Sequence, residues 1–417
     1  MELFSGTLLL KQRALQKQLT NHWRYLSDVK YRHFWNEFER LEKLLSVPMP
    51  IEEDIAPEKL KGWTPIELHI NKSFQEVAWL NLGKTYFTDK RSAYTICRSW
   101  QNQNKPQPLW TKLDVLTQLR KTSPGLQPKG FIFNVSKCGS TLLARMLSSL
   151  PRNLVISEDT VINKSLMPNE LMTQAGSFPD SSRIELFQSV ISALGQPLLG
   201  VEENYVIRFS PFNVLELPFI KKVFPEVPWI FLYRDPIEVI ISDLVDLDSY
   251  KSMSSLVKQV LSFSATNITK INPKNSSLAQ KILDFSNSDI ATMSDEEFLA
   301  RRNSSYLNMA LHFLDKNALL INYDQLLSKV GLCQVLDWFQ IKISDNELAT
   351  MLNNLKVYSK DNIKEKAYRD DRADKQKMVS KQLRDLVDKW AMEPYLKLEE
   401  IRQKTTRTKL THKHDIG

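Results

Sequence analysis

Glycine is scarce in this chain. There are 11 in 417 residues, where average usage of about 7 % would supply roughly 29. Collagen-like and low-complexity architectures are thereby excluded, and each glycine that remains is more readily read as positional. Cysteine is scarcer still. Cys97, Cys138 and Cys333 are odd in number, far apart and without metal or disulfide spacing, which excludes a disulfide scaffold and points to a reducing compartment. The six histidines show no ligand spacing, and His412 and His414 fall in the tail, so no metal is expected. No stretch of about 18 apolar residues occurs, so no membrane span is expected. The opening MELFSGTLLLKQR has a very short apolar run and no small-residue cleavage pattern, which argues against a signal peptide. A soluble cytoplasmic protein is the expectation.

Charge is present in modest excess. The formal net charge is +8, which fits an anionic ligand and equally fits solubility alone. A nucleic-acid partner would need basic residues focused on one element. Only RQKTTRTKLTHK at 402–413 approaches that, and a solvated, flexible C-terminal tail over 401–417 explains it.

The chain divides by texture. Residues 1–125 read as a mainly helical N-terminal extension, with apolar residues at three- and four-residue spacing in LLLKQRALQKQLTNHWRYL and HFWNEFERLEKLL; the stretch 63–110 gives no clear pattern. From residue 126 to about 400 short apolar runs alternate with helical segments. The runs are FIFNV (131–135), LVIS (154–157), YVIRFS (205–210), WIFLYR (229–234) and ALLINY (318–323). That alternation predicts an α/β unit, a parallel sheet flanked by helices. Capping boxes at 294–297 and 344–347 predict helix starts, the polar stretch 246–302 predicts helices plus a mobile loop, and 379–400 predicts a closing helix.

Two segments carry chemistry. FIFNVSKCGSTLLARML reads as a buried strand, a tight turn and an amphipathic helix. Gly139 lets the backbone turn sharply. Ser140 and Thr141 stand at the helix start, where free N–H groups attract phosphate, and Lys137 adds a point charge. The pattern departs from G-x-x-x-x-G-K-[ST], because the lysine precedes the glycine. An ordinary strand–helix turn would also read this way. The second segment, FPEVPWIFLYRDPIEVIISDL, is a strand ending in Arg234, then Asp235, then Pro236 in a first helical turn, with Ser242 two turns on. An aspartate closing an apolar strand also fits a magnesium-holding role, so a P-loop kinase or NTPase stays open.

Together these segments resemble the sulfotransferase family. K-C-G-S-T resembles its 5′-phosphosulfate loop, K/R-x-G-[ST]-[ST]. R-D-P-I-E-V-I-I-S resembles its 3′-phosphate motif, R-[DN]-P-x-x-x-x-x-S. YVIRFSP and LINYDQLL resemble further family strands. The resemblance covers about residues 129–330, more weakly 331–400, and not the first 120. It is nearest to bacterial forms and, around the loop, to tyrosylprotein sulfotransferases.

The resemblance implies a P-loop-like fold and transfer of a sulfuryl group from 3′-phosphoadenylyl sulfate (PAPS) to a hydroxyl or amine acceptor of unknown class, releasing the bisphosphate PAP. It implies donor binding by Ser136, Lys137, Cys138, Gly139, Ser140, Thr141, Arg234 and Ser242, with Lys137 also catalytic. Cytosolic members place a histidine base where this chain has Arg208-Phe209-Ser210, so their mechanism does not transfer directly. Glu158 and Asp159, at the position of a glutamate base in other members, are the candidate bases, with Asp159 on the glutamate's position. A carboxylate can serve if burial raises its pKa; both can equally be helix caps. Arg208 is a candidate for binding the sulfonate or PAP. Lys360, Lys364, Lys366, Arg369 and Arg372 are candidates for a basic loop over the nucleotide. A catalytically inactive nucleotide-binding protein on the same fold is the other alternative.

Overall fold

The computed structural model describes residues 29–47, 49–53, 55–70, 75–166, 179–251, 293–356 and 379–414. The apolar spacing of 29–45 produces helix α1 (Val29–Leu45), whose Phe38, Leu41 and Leu45 are buried. Next come β1 (Trp63–Ile70), β2 (Gln75–Asn81), α2 (Ser92–Asn102), β3 (Leu109–Lys112) and α3 (Asp114–Thr122). β1, β2 and β3 form an antiparallel sheet in that order. The N-terminal region is therefore helix and sheet together, and the unpatterned stretch 63–110 is where the sheet lies. In β1 the alternation is confined to Ile66–Ile70, behind Pro65, and β2 lacks the two-residue alternation that betrays a half-buried strand. Five successive residues of β2 are buried, and β1 carries a register shift between Pro65 and Glu67. The apolar stretch 8–26 lies outside the described residues.

The second unit alternates as expected: β4 (Pro128–Asn134), α4 (Ser140–Ser148), β5 (Asn153–Ser157), α5 (Thr160–Leu166), α6 (Asp180–Leu194), β6 (Asn204–Arg208), α7 (Leu217–Val223), β7 (Trp229–Tyr233), α8 (Pro236–Lys251), α9 (Asp295–His312) and β8 (Ala318–Asn322). The five strands form one parallel sheet in the order β5-β6-β4-β7-β8. β5, β6 and β7 are buried along their whole length, which is why they read as unbroken apolar runs. Phe133 stacks on Phe209 at 4.8 Å between ring centroids and meets Trp229 edge-on at 5.8 Å. Gly130 leaves room for the Phe339 ring, which a Cβ there would meet at 2.3 Å. The core thus sits directly beneath the C-terminal end of β4.

The chain leaves β4 toward β5 on one side, returns as β6 beside β4, then crosses to β7 and β8 on the other. This reversal opens a crevice at the strand C-termini, where ligands of open α/β sheets bind.

Helices α10 (Lys329–Trp338), α11 (Asp345–Asn353), α12 (Lys381–Trp390) and α13 (Met392–His414) complete the chain. Ser294 caps α9 by accepting from Glu297 N–H at 3.2 Å, and Ser344 forms a reciprocal capping box with Glu347. The closing helix divides at Ala391 and runs on to His414, so 401–414, expected as a flexible tail, is helical. The candidate basic loop residues at 360–372 lie outside the described residues. Among the described residues, no helix is long and apolar enough to cross a membrane, and no cluster of three or more His, Cys, Asp or Glu side chains is placed to hold a metal ion.

Candidate active site

The loop after β4 is turned by two left-handed residues, Lys137 at φ 58° and Gly139 at φ 88°. A Cβ on Gly139 would stand 2.8 Å from the Tyr323 ring, so both backbone angle and space demand glycine. Gly139→Ala is expected to destabilise the protein by about 1–3 kcal/mol, read as a lowered Tm. Asn134 closes the loop at its base, donating to the Phe209 carbonyl at 2.9 Å and accepting from Ser140 Oγ at 3.1 Å. Cys138 points inward: its thiol donates to the Val135 carbonyl at 2.9 Å, and burial pushes its pKa up to about 12. Of the six loop residues named from the sequence, Cys138 therefore has only its backbone to offer a ligand.

Ser136 and Lys137 converge on a residue that sequence reasoning missed. Ser136 Oγ donates to Asp243 Oδ1 at 2.9 Å, Lys137 Nζ lies 3.8 Å from the same oxygen, and Arg302 pairs with Oδ2. Asp243 follows Ser242 directly, but no spacing rule assigns it. It serves the loop as a resident counter-charge held on α8.

β7 runs beside β4, with Leu232 opposite Asn134, so Arg234 emerges next to the loop. Its Nη1 donates to the Lys137 carbonyl at 3.4 Å, its guanidinium lies 4.2 Å from the Tyr323 ring centroid, and it pairs with Glu238 one turn along α8. Ser242 Oγ donates to the Glu238 carbonyl at 2.7 Å. Asp235 caps α8, with Oδ1 accepting from Ile237 N–H at 2.8 Å and from Glu238 N–H at 3.3 Å. The two anion-binding candidates named from the sequence thus lie at neighbouring strand ends on one edge of the sheet.

A third cluster forms at the ends of β6 and β5. Arg208 is 2 % exposed. Its Nη1 donates to Ser140 Oγ at 3.0 Å and Thr141 Oγ1 at 3.2 Å, and its Nη2 donates to the Lys90 carbonyl at 2.5 Å and lies 3.0 Å from Glu158 Oε1. Glu158 sits at φ 44°, a left-handed conformation that costs a non-glycine residue about 1–3 kcal/mol and concentrates at functional sites. Burial pushes its carboxyl pKa up, but the charges of Arg208 and Arg91 and the Arg91 bond outweigh burial and hold it below the usual carboxylate value. A carboxylate so held stays ionised, and its two guanidinium partners make it a weaker proton acceptor than a free glutamate.

Asp159 is placed differently. Its Oδ1 accepts from Val161 N–H at 2.9 Å and Ile162 N–H at 3.2 Å, capping α5, and burial pushes its pKa up to about 6. Of the two carboxylates, Glu158 is the one joined to the loop, through Arg208. The family position had pointed to Asp159. Glu158 follows the last residue of β5 in a left-handed conformation, and the two side chains diverge, Glu158 toward Arg91 and Arg208 and Asp159 toward the first turn of α5.

Asp159 also carries a stability signature. Its folded pKa lies above the ordinary 3.8, so the folded state binds this proton more tightly, and its contribution to stability falls as pH rises from about 4 through 6. Asparagine caps as well as aspartate. Asp159→Asn is therefore expected to be neutral at pH 4 and stabilising by up to ~3 kcal/mol at pH 8, checked by denaturant unfolding at both pH values.

Residues 128–301 match the model described as "Sulfotransferase family". Among solved structures, the chain is similar to a sulfotransferase, STF9, from Mycobacterium avium, at 12 % identity and TM-score 0.36 over 71 % of this chain and 84 % of that one. It is also similar to a sulfotransferase domain from the curacin biosynthetic pathway, at 16 % identity and TM-score 0.29 over 54 % and 77 %. A sulfotransferase from Alicyclobacillus acidocaldarius aligns at 13 % identity and TM-score 0.30 over 55 % and 95 %. No curated protein matches significantly. The stretch 128–301, which holds the glycine turn, Arg208 and Arg234 at strand ends of one parallel sheet and Ser242 on α8, is thus the part of this chain that matches the sulfotransferase family.

Proposed function

We propose that this protein transfers a sulfuryl group from PAPS to a hydroxyl or amine acceptor, releasing PAP. The observation that carries the reading is the contact between Arg234 and the Lys137 carbonyl, which sets the two anion sites at adjacent strand ends. Ser136, Lys137, Ser140, Thr141 and the loop N–H groups would hold the 5′-phosphosulfate. Arg234 and Ser242 would hold the 3′-phosphate, the arginine through charge-assisted hydrogen bonds. Glu238 and Asp243 now neutralise Arg234 and Lys137 from α8, so both donor anions would bind by exchanging for a resident carboxylate.

In the transfer an acceptor O–S bond forms, the S–O bond to PAP breaks, and the acceptor proton leaves to a base. Lys137 would stabilise charge on the departing phosphate oxygen. Arg208, locked against both loop hydroxyls, would orient Ser140 and Thr141 toward the sulfonate. Glu158 is the base we favour. Glu158→Gln is expected to lower transfer of labelled sulfate by about 10²–10⁴-fold with PAP affinity retained, whereas Asp159→Asn should leave turnover within about threefold. Equal activity of Glu158→Gln and the parent would remove Glu158 from the mechanism.

A kinase or NTPase reading would use Asp235 to hold magnesium. That carboxylate is engaged in capping α8, which favours sulfuryl transfer. The division into an N-terminal extension (1–125) and a catalytic unit (126–400), and a cytoplasmic location, belong to the same proposal; the location is supported by three unpaired cysteines, two of them buried.

A further inference from the structure

A cavity of ≈ 260 Å³ is lined by α1, β1, the start of α2 and α5. Native cores keep few voids larger than a water molecule. A space of this size walled by buried Phe38, Leu41, Leu45, Ile66 and Ile96 is therefore exceptional. An apolar cavity of about 150 Å³ admits benzene, and in proportion this one has room for about ten non-hydrogen atoms.

Polar groups interrupt the apolar wall. Some are committed to the backbone. Ser46 Oγ donates to the Lys43 carbonyl at 2.8 Å, His69 Nε2 bonds the Leu45 carbonyl at 2.9 Å, and Asp159 caps α5. Glu42 is engaged as well. Thr160, Lys164 and Glu67 differ. Thr160 and Lys164 stand one turn apart on one face of α5. The Lys164 ammonium is 9 % exposed and has three donors. It uses two of them, on Glu67 Oε1 and, at 3.4 Å, on the Leu68 carbonyl. Glu67 Oε1 also accepts from Leu68 N–H at 2.7 Å. Among the described residues, Glu67 Oε2 and the Thr160 hydroxyl make no hydrogen bond. The cavity thus offers a donor, an acceptor and a hydroxyl that is both. A carboxylate head can only accept and an ammonium head can only donate, so neither meets the set.

We propose that this cavity is a ligand site separate from the donor sites, for a small molecule with an apolar body and an uncharged head that both donates and accepts, such as a carboxamide, held by Lys164, Thr160 and Glu67. The ligand sits behind the favoured base. Ala93, Asp159 and Thr160 line the cavity, whereas Arg91 and Glu158 line a separate cleft of ≈ 140 Å³ that also includes Ser136. Residues 91–93 and 158–160 form the shared wall. Arg91 Nε donates across it to Glu158 Oε2 at 3.0 Å, and Ser157 N–H donates to Ser92 Oγ at 3.0 Å. Ligand and donor therefore bind without competing, and the site does not depend on which donor the protein takes.

The test is calorimetric titration of the full-length protein with 3-phenylpropanamide, 3-phenylpropanoate and 3-phenylpropylamine, which share a body and differ in head charge. The amide should bind with Kd on the order of 1 mM or tighter. It should bind about tenfold tighter than either charged probe, and equally with and without saturating PAP. Ala93→Leu, which fills the cavity, should weaken the amide by about tenfold or more. Thr160→Val, which keeps the shape and removes the hydroxyl, should weaken it by about three- to tenfold. Melting curves and PAP titration check that both variants fold. The proposal is overturned if the amide fails to bind at up to about 10 mM, if a charged probe binds as tightly, if PAP displaces the amide, or if Ala93→Leu leaves its affinity unchanged. A failure of PAP to bind the parent protein would sink the sulfuryl-transfer reading, whereas the amide comparison still reports on the cavity.

Discussion

Lys137→Ala is expected to lower sulfuryl transfer by about 10²–10³-fold with little change in Tm. The asymmetry follows from how Lys137 is held. Its 3.8 Å approach to Asp243 exceeds the 2.7–2.9 Å typical of a charge-assisted hydrogen bond, so little stability resides in the pair. Removing the lysine does not strand Asp243, which keeps Ser136 and Arg302. Nor does alanine alter the backbone problem at φ 58°, because both residues carry a Cβ. What is lost is a positive charge that the transition state needs more than the ground state does. PAP affinity should fall about tenfold or less, since the loop N–H groups remain. Turnover by Lys137→Ala at the parent rate would dismiss this lysine from the chemistry.

Arg234→Ala should weaken PAP binding by about 2–4 kcal/mol, or roughly 30- to 1,000-fold, measured by titration calorimetry. The residue is buried, stacked on Tyr323 and hydrogen-bonded to the loop, so its charge is little screened. Unlike Lys137 it is also structural. Its loss leaves Glu238, only 16 % exposed, without its guanidinium, and Tm should drop as well. Arg234→Lys separates the two effects: it restores a charge beside Glu238 but not the planar fork, so Tm should largely recover while affinity recovers only in part. Full affinity in the lysine variant would mean that a point charge suffices there.

The parts of this site legible in the sequence are those built from contiguous residues. A buried strand, a glycine turn and an amphipathic helix announce the loop, and R-D-P followed by a serine two turns on announces the strand that brings Arg234 to the start of α8, because each is one strand feeding one helix. The five parallel strands were legible for the same reason. The parts that were not legible depend on contacts distant along the chain. Asp243 meets Ser136 across 107 residues, Arg302 meets Asp243 across 59, and Arg91 meets Glu158 across 67. No local pattern encodes such pairings. The different surroundings of Glu158 and Asp159 were hidden for another reason: the chain enters a left-handed conformation at Glu158, just past β5. The antiparallel sheet of the N-terminal region was hidden because the run of buried residues in β2 has no alternation to read.

These contacts also change how the N-terminal region is understood. Arg120 donates to Gln188 at 2.7 Å, Thr117 and Ser189 share a hydrogen bond at 3.2 Å, and Lys164 of α5 pairs with Glu67 of β1. The N-terminal region is therefore joined to the parallel-sheet unit at several points besides Lys90, Arg91 and Ser92.

The most direct test of the whole account is titration of the protein, in chelator, with PAP, with 5′-AMP and with ATP plus excess magnesium in a matched buffer. Two adjoining anion sites predict that PAP binds one to one without metal and at least about a hundredfold more tightly than 5′-AMP, which can fill only the glycine turn. Equal binding of PAP and 5′-AMP, or binding of ATP with magnesium alone, would contradict it.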